Sequence, residues 1–147
     1  MKRFVSLSMF LLLLFFSEGC ATHSHPKRPS EKRQRENEAR EAALRWLELI
    51  DSRKYTAAYQ AETSRLHAAT TKAQFIRSME GRRVPFGRVF SRKFIGAAFS
   101  RKLTGAPDGT YESILFRTSF EGKKTAAERV ILVQEEDQWR VVDYRVY

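Results

Sequence analysis

The chain contains few cysteine, glycine, proline and histidine residues, the types that form disulfides, break regular secondary structure or bind metal ions. Its single cysteine, Cys20, excludes an internal disulfide and a cysteine-based zinc cage. Seven glycines and four prolines in 147 residues are too few for a collagen-like or low-complexity chain. With three histidines, and no serine or glycine spacing typical of a nucleophile or a phosphate loop, we expect no catalytic constellation, no metal and no cofactor.

Acidic residues are also few, with 17 Asp and Glu against 27 Lys and Arg, which gives a formal net charge of +10. Residues 81–102 contain seven cations and no acid. Such a cluster predicts an anionic neighbour. The candidate anion- or partner-binding residues in this segment are Arg82, Arg83, Arg88, Arg92 and Lys93. The alternative is a solvated cationic strand edge that discourages pairing with other chains.

The N-terminus has the layout of an export signal. Lys2 and Arg3 precede an apolar run over residues 4–16, about 20 Å of helix where a bilayer core is ~30 Å thick. The run ends in Ser17-Glu18-Gly19-Cys20, which resembles the bacterial lipoprotein signal, whose cysteine is lipidated and becomes the mature N-terminus. With Ala21 following Cys20, the resemblance implies the periplasmic face of the outer membrane. An ordinary secretory signal or an uncleaved anchor is the alternative.

The mature chain is expected to contain one domain. Residues 1–19 form the signal peptide, residues 20–35 a basic, lipid-anchored tether, and residues 36–147 a single α+β domain. Ser30 is a candidate N-cap for a first helix whose opening turns, lacking an apolar face, project beyond the core. A second helical stripe runs from Tyr55 to Leu66. Thr71 and Gln74 form a capping-box pattern for a third helix that ends at Gly81.

The hydrophobic period changes from 3.6 to about two after Arg88, which indicates strands. We expect four of them, over residues 89–103, 110–121, 126–134 and 138–147, with a bulge or bend at Gly96. Three helices followed by four meandering strands predict an α+β fold, with the helices packed on one face of a curved antiparallel sheet.

Arg92 shares strand parity with Phe90 and Phe94, so we expect it on the apolar face. A buried arginine needs an acidic partner, for which Glu112 and Glu128 are candidates on neighbouring strands. The favoured interpretation is a structural ion pair. The alternative is a cation at a pocket mouth that selects an anionic ligand.

The acids do not suggest a catalytic pair. Asp51, Asp108 and Asp137 fall at expected turns, where aspartate stabilises local backbone. Asp143 lies within a strand, and we expect it to face solvent or to pair with Arg145.

A series of short motifs resembles the family catalogued as domain of unknown function 4019. The motifs are Ala42-Ala43-Leu44-Arg45-Trp46-Leu47-Glu48-Leu49-Ile50-Asp51 with Tyr55 and Tyr59, Arg88-Val89-Phe90-Ser91-Arg92-Lys93, Gly105-Ala106-Pro107-Asp108-Gly109-Thr110-Tyr111, Phe116-Arg117-Thr118-Ser119-Phe120, Glu128, and Asp137-Gln138-Trp139-Arg140-Val141 with Tyr144. The resemblance covers residues 37–147, implies the α+β fold and a bacterial envelope setting, and brings no assigned activity. The first helix and curved sheet are also similar to the cone-shaped, nuclear-transport-factor-like folds.

These features favour a non-enzymatic, lipid-anchored binding or interaction module of the bacterial envelope. Its expected partners are the membrane, through Cys20, and an anionic envelope component or another envelope protein. Nucleic acid is not expected, because an exported protein rarely meets it. The alternative is a small isomerase- or hydrolase-like enzyme that uses a cone-shaped pocket.

Overall fold

The computed structural model describes residues 30–147, so the expected signal peptide, Cys20 and most of the basic tether lie outside the described residues. Within residues 30–147, a helical half is followed by a sheet. The elements are α1 (Glu31–Asp51), α2 (Tyr55–Gln60), α3 (Ser64–Ala69), α4 (Lys72–Arg83), a 3₁₀ turn (Val84–Phe86), β1 (Val89–Ser100), β2 (Tyr111–Phe120), β3 (Ala126–Glu135) and β4 (Gln138–Val146).

Helix α1 begins as the sequence predicts. The Ser30 hydroxyl accepts a hydrogen bond from the Arg33 amide at 3.4 Å, which satisfies one of the free donors of the first turn. The expectation that the opening turns project beyond the core holds for residues 31–34, which are exposed, but not for Arg35. Arg35 donates to the Glu112 carboxylate at 2.8 Å and stacks over the Phe99 ring. A long cationic side chain therefore attaches this end of α1 to the sheet without an apolar face.

The second predicted helix is two helices, α2 and α3. The chain leaves the helical path at Glu62, which forms a parallel bridge with Val141, and the Thr63 side chain then caps α3 by accepting from the Leu66 amide. Helix α4 carries the predicted capping box between Thr71 and Gln74.

Gly81 does not end the third predicted helix, because α4 continues to Arg83. The chain reverses later, at Gly87, where φ is +70°, a left-handed conformation that glycine adopts without steric cost.

The strands form an antiparallel sheet in the order β1-β2-β3-β4. The register shifts between Phe94 and Gly96, which confirms the irregularity predicted at Gly96, and β1 ends at Ser100 rather than at residue 103. Another shift, between Ile131 and Leu132, leaves Val142 of β4 without a partner in the register. This bulge places both Val141 and Tyr144 on the inner face of the sheet.

The main core lies between the helices and this inner face. The largest side chains of α1 in it are Trp46, Leu47 and Ile50, and they pack with Phe116 of β2 and Leu132 of β3. The helices thus cover one face of an antiparallel sheet, which confirms the α+β class.

The outer face of the sheet has only a small apolar cluster of its own. It consists of Tyr111, Ile131 and Val133, packed against Leu103 and Ala106 of the loop before β2. This loop covers one end of the outer face, and the described helices pack on the other side of the sheet.

Candidate functional site

Two of the predicted anion-binding cations belong to a buried charge cluster, made of Asp51, Arg83, Arg92 and Glu128. Arg92 Nε lies 2.7 Å from a Glu128 oxygen, and its Nη1 lies 2.8 Å from an Asp51 oxygen. Arg83 donates to the same Asp51 carboxylate at 2.8 Å and to the carbonyl of Gly87 at 2.7 Å. The cluster ties the end of α1 to the end of α4 and to β1 and β3.

Hydroxyl groups as well as cations donate hydrogen bonds to Glu128 of the buried charge cluster, whereas the buried Nε of Arg83 has no partner among the described residues. Glu128 is fully buried and accepts from Thr118 Oγ1 at 2.5 Å and from the Tyr144 hydroxyl at 2.7 Å. Burial and the neighbouring Glu128 charge raise the pKa of Tyr144, so the phenol remains a donor at neutral pH. Burial opposes the charge of Arg92, but hydrogen bonds and attraction to Glu128 and Asp51 outweigh it and raise the pKa of Arg92.

This geometry confirms the structural ion pair expected for Arg92 and selects Glu128 as its partner. Glu112, the other candidate, pairs with Arg35 instead. The guanidinium groups of Arg83 and Arg92 are held by internal acids, so an external anion would have to compete with carboxylates that are already in place.

The remaining candidate cations are exposed and separate from one another. Arg82 bonds back to its own helix, with Nη2 at 2.6 Å from the Ser78 hydroxyl. Arg88 lies 3.6 Å from Glu121 at the start of β1, and the Arg88 amide and side chain lower the pKa of Glu121. Lys93 is exposed on the outer face of the sheet, beside Arg117. The five cations therefore do not form one surface.

A different set of cations shares a surface, the cationic sheet face, which consists of Lys93, Arg117, Arg129 and Arg145. Lys93 and Arg117 are directly opposite across β1 and β2, and Arg129 and Arg145 are directly opposite across β3 and β4. Partners in an antiparallel sheet point to the same side, and these alternate with inward residues such as Phe116 and so point outward. The strand register thus adds three arginines that lie outside the basic segment of the sequence.

Charge compensation on the cationic sheet face is incomplete. Asp143 contacts Arg145 at 3.1 Å and Arg129 at 3.5 Å, as the sequence predicts for its pairing with Arg145. Lys93 and Arg117 form no ion pair with any residue that the structure describes, and both are exposed. Like charges directly opposite across two strands destabilise a sheet, and an anion placed between or above the two side chains would offset that repulsion.

One buried acid, Glu62, is not among the candidate residues predicted from the sequence. It is 6% exposed, and it lines a cavity of about 160 Å³ between α3, α4 and β4. Burial raises the pKa of Glu62 to about 8, against a smaller lowering effect of Arg82. In the sequence, Glu62 falls at a position of the helical pattern predicted from Tyr55 to Leu66. Neighbouring residues do not indicate that the helix breaks there and brings Glu62 against β4.

The described residues contain no group of three or more His, Cys, Asp or Glu side chains placed to hold a metal ion. From residue 30 onward, no helix is both long enough and apolar enough to cross a bilayer. Two of the three histidines, His23 and His25, lie outside the described part of the chain.

Comparison with known proteins gives one match. The family model described as "Protein of unknown function (DUF4019)" matches residues 42–144, which span the second half of α1, the helices after it, and the whole sheet apart from its last residues. No match was found among curated proteins or among solved structures.

Proposed function

The chain belongs to the DUF4019 family, whose description assigns no activity, and we propose that it is a non-enzymatic, lipid-anchored binding module of the bacterial envelope. The observation that carries this proposal is the unneutralised Lys93–Arg117 pair on the cationic sheet face. The cations directed inward are already paired with internal acids. The outward cations are therefore the groups available to a partner.

An anionic membrane surface is the partner whose position fits this arrangement best. Cys20 precedes Ser30 by ten residues, and a chain of that length reaches at most about 35 Å. A domain anchored through Cys20 would stay close to lipid headgroups, where each exposed cation gains about 1 kcal/mol and the attraction is screened within a Debye length.

Vesicle binding tests the role of the cationic sheet face. We expect the protein to sediment with vesicles that contain phosphatidylglycerol, and to be released by high salt. Replacing both Lys93 and Arg117 with glutamine should lower the partition coefficient about 30-fold, because two cations contribute about 2 kcal/mol. The variant should fold at least as stably as the wild type, because the substitution removes a repulsive pair.

A matched control distinguishes an effect of the cationic sheet face from an effect of net charge alone. Replacing Lys72 and Arg77, two exposed cations of α4, with glutamine removes the same charge from the helical side. We expect this control to bind nearly as well as the wild type. Equal losses for both pairs would show that charge alone governs binding and would refute a role for the cationic sheet face.

Lipid anchoring is tested separately, by intact mass and membrane fractionation in a Gram-negative host beside Cys20→Ser. A tri-acylated chain beginning at Cys20 in the outer-membrane fraction is the expected result, with the variant unprocessed or released. A soluble and unmodified wild-type chain would contradict the lipoprotein assignment, whatever the vesicle experiment shows.

An enzymatic function is the alternative, and one observation favours it. Glu62 lines a cavity, and burial raises the pKa of its carboxyl to about 8, closer to the neutral range in which a general acid or base is most effective. Turnover of an ester or amide by the wild type, lost in Glu62→Gln, would favour the enzyme over the binding module.

A further inference from the structure

The cavity beside Glu62, which we call the Glu62 cavity, lies between α3, α4 and β4, and none of the four cations of the cationic sheet face lines it. Glu62 is more than nine-tenths buried, yet its carboxyl forms no hydrogen bond or ion pair with the other residues that the structure describes. Most buried polar groups have such a partner. The Glu62 oxygens are not among the fully enclosed side-chain atoms that have no partner, so the carboxyl keeps some accessible surface. An accessible and unpaired carboxyl that lines a cavity is a candidate ligand contact.

The walls of the Glu62 cavity combine hydrogen-bond donors with apolar surface. Ser78 and Arg82 of α4 line it together with Glu62, and the Ser78 hydroxyl, which accepts from Arg82, keeps its own proton free to donate. Phe75 and Met79, also of α4, supply apolar wall. The volume of about 160 Å³ is close to that of a cavity that holds benzene.

The charges favour an anionic ligand over a cationic one. Arg82 forms no ion pair with any described acid, whereas Asp143, the other acid at this cavity, is already neutralised by Arg129 and Arg145. Burial raises the pKa of Glu62 to about 8, so at neutral pH its carboxyl is protonated and can donate a hydrogen bond to an anion.

We propose that the Glu62 cavity binds a small organic carboxylate whose apolar body is about the size of a benzene ring. The Glu62 carboxyl donates to one carboxylate oxygen of the ligand, and Ser78 and Arg82 donate to the other. The apolar body packs against Phe75 and Met79. Binding requires the Glu62 proton, since an ionised Glu62 would repel the ligand and offer no donor.

Several other charged or titratable groups face Glu62 from the elements packed around it. They are His67 of α3, Arg82 of α4, Glu135 of β3, Glu136 of the following turn, and Arg140, Asp143 and Tyr144 of β4. A pH dependence of binding therefore has to be assigned by substitution of Glu62 itself.

Benzoate titration of the full chain, followed by amide NMR shifts or calorimetry, tests the proposal. We expect saturable binding at about pH 6.5 and an apparent Kd about 30-fold higher at about pH 9.5, because the free Glu62 carboxyl ionises near pH 8. Glu62→Gln keeps an N–H donor and should bind with less than about a 3-fold change between these pH values. Benzylammonium, of the same size and opposite charge, should not bind.

Two further variants complete the design. Glu62→Ala should lose benzoate binding at both pH values, and Glu80→Gln, an exposed acid on α4 outside the cavity, should behave as the wild type. No saturable benzoate binding at millimolar concentration, tighter binding of benzylammonium, or a pH dependence that persists in Glu62→Gln would each overturn the proposal. Replacing Lys93 and Arg117 should leave benzoate binding unchanged, so that this site and the envelope role fail or succeed separately.

Discussion

Replacement of Arg92 with methionine is the sharpest test of the buried charge cluster. The side chain of Arg92 is 11% exposed, and that of Glu128 is fully buried. In Arg92→Met the carboxylate of Glu128 loses two guanidinium hydrogen bonds, at 2.7 and 3.2 Å, and keeps only the hydroxyls of Thr118 and Tyr144. We expect the free energy of unfolding to fall because a buried charge is left without its counter-ion.

The size of this loss follows from the burial of the pair. Removing one partner of a buried ion pair costs about 3–5 kcal/mol, mostly because the other charge is left uncompensated. Since Glu128 keeps two hydroxyl donors, we expect about 3 kcal/mol. With a urea slope of about 1.5 kcal/mol/M, the unfolding midpoint should fall by about 2 M. Trp46 and Trp139 provide the fluorescence signal.

Two comparisons show whether the loss comes from the buried charge. Arg92→Met combined with Glu128→Gln removes both charges and should be more stable than the single variant. Arg45→Ala breaks a pair with Glu41 at 3.8 Å, in which both side chains are more than half exposed, and should cost less than about 0.5 kcal/mol. A loss for Arg92→Met no larger than that for Arg45→Ala would refute the reasoning.

Two other predictions concern stability. The pKa of Glu62 is raised from an ordinary 4.5 to about 8 in the folded state, so the folded state binds its proton more tightly. The stability that Glu62 contributes is therefore full below about pH 4.5 and lost as the pH rises through about 8. Relative to Glu62→Gln, urea unfolding should show a loss of about 5 kcal/mol at 1.36 kcal/mol per pKa unit, and parallel pH profiles would contradict this. In Gly122→Ala the new Cβ would lie 2.9 Å from the Pro85 carbonyl oxygen, so the thermal unfolding midpoint should fall. In the control Gly96→Ala the new Cβ has no atom within 4 Å, so the midpoint should change little. Equal midpoints for the two variants would contradict this prediction and would show that the turn at Gly122 relaxes.

The sequence predicts those features of the fold that depend on neighbours in the chain. The cap at Ser30, the capping box at Thr71 and the irregularity at Gly96 are all present, because each depends on residues a few positions away. The break at Glu62 was missed, since it depends on a bridge to Val141 in the last strand. The end of α4 was misplaced because Gly81 can remain helical when packing continues to Arg83.

The candidate site was predictable only in part for the same reason. Strand parity correctly placed Arg92 inward and allowed two acidic partners, and the register then selected Glu128. The basic run over residues 81–102 suggested one cationic surface, but strand alternation sends Arg92 inward and Lys93 outward. Arg117 and Arg145 join Lys93 only through the register of strands distant in sequence.

The inward and outward cations differ in what their replacement should do: loss of an inward cation affects stability, and loss of an outward cation affects binding. Loss of Arg92 should lower stability and, through unfolding, every activity together. Loss of Lys93 and Arg117, which pair with no described acid, should weaken binding of an anion while leaving stability equal or higher. A surface retained for folding alone would gain from replacing one of these two opposed cations. Their direct opposition across β1 and β2 is therefore the feature that the proposed binding of an anionic partner would account for.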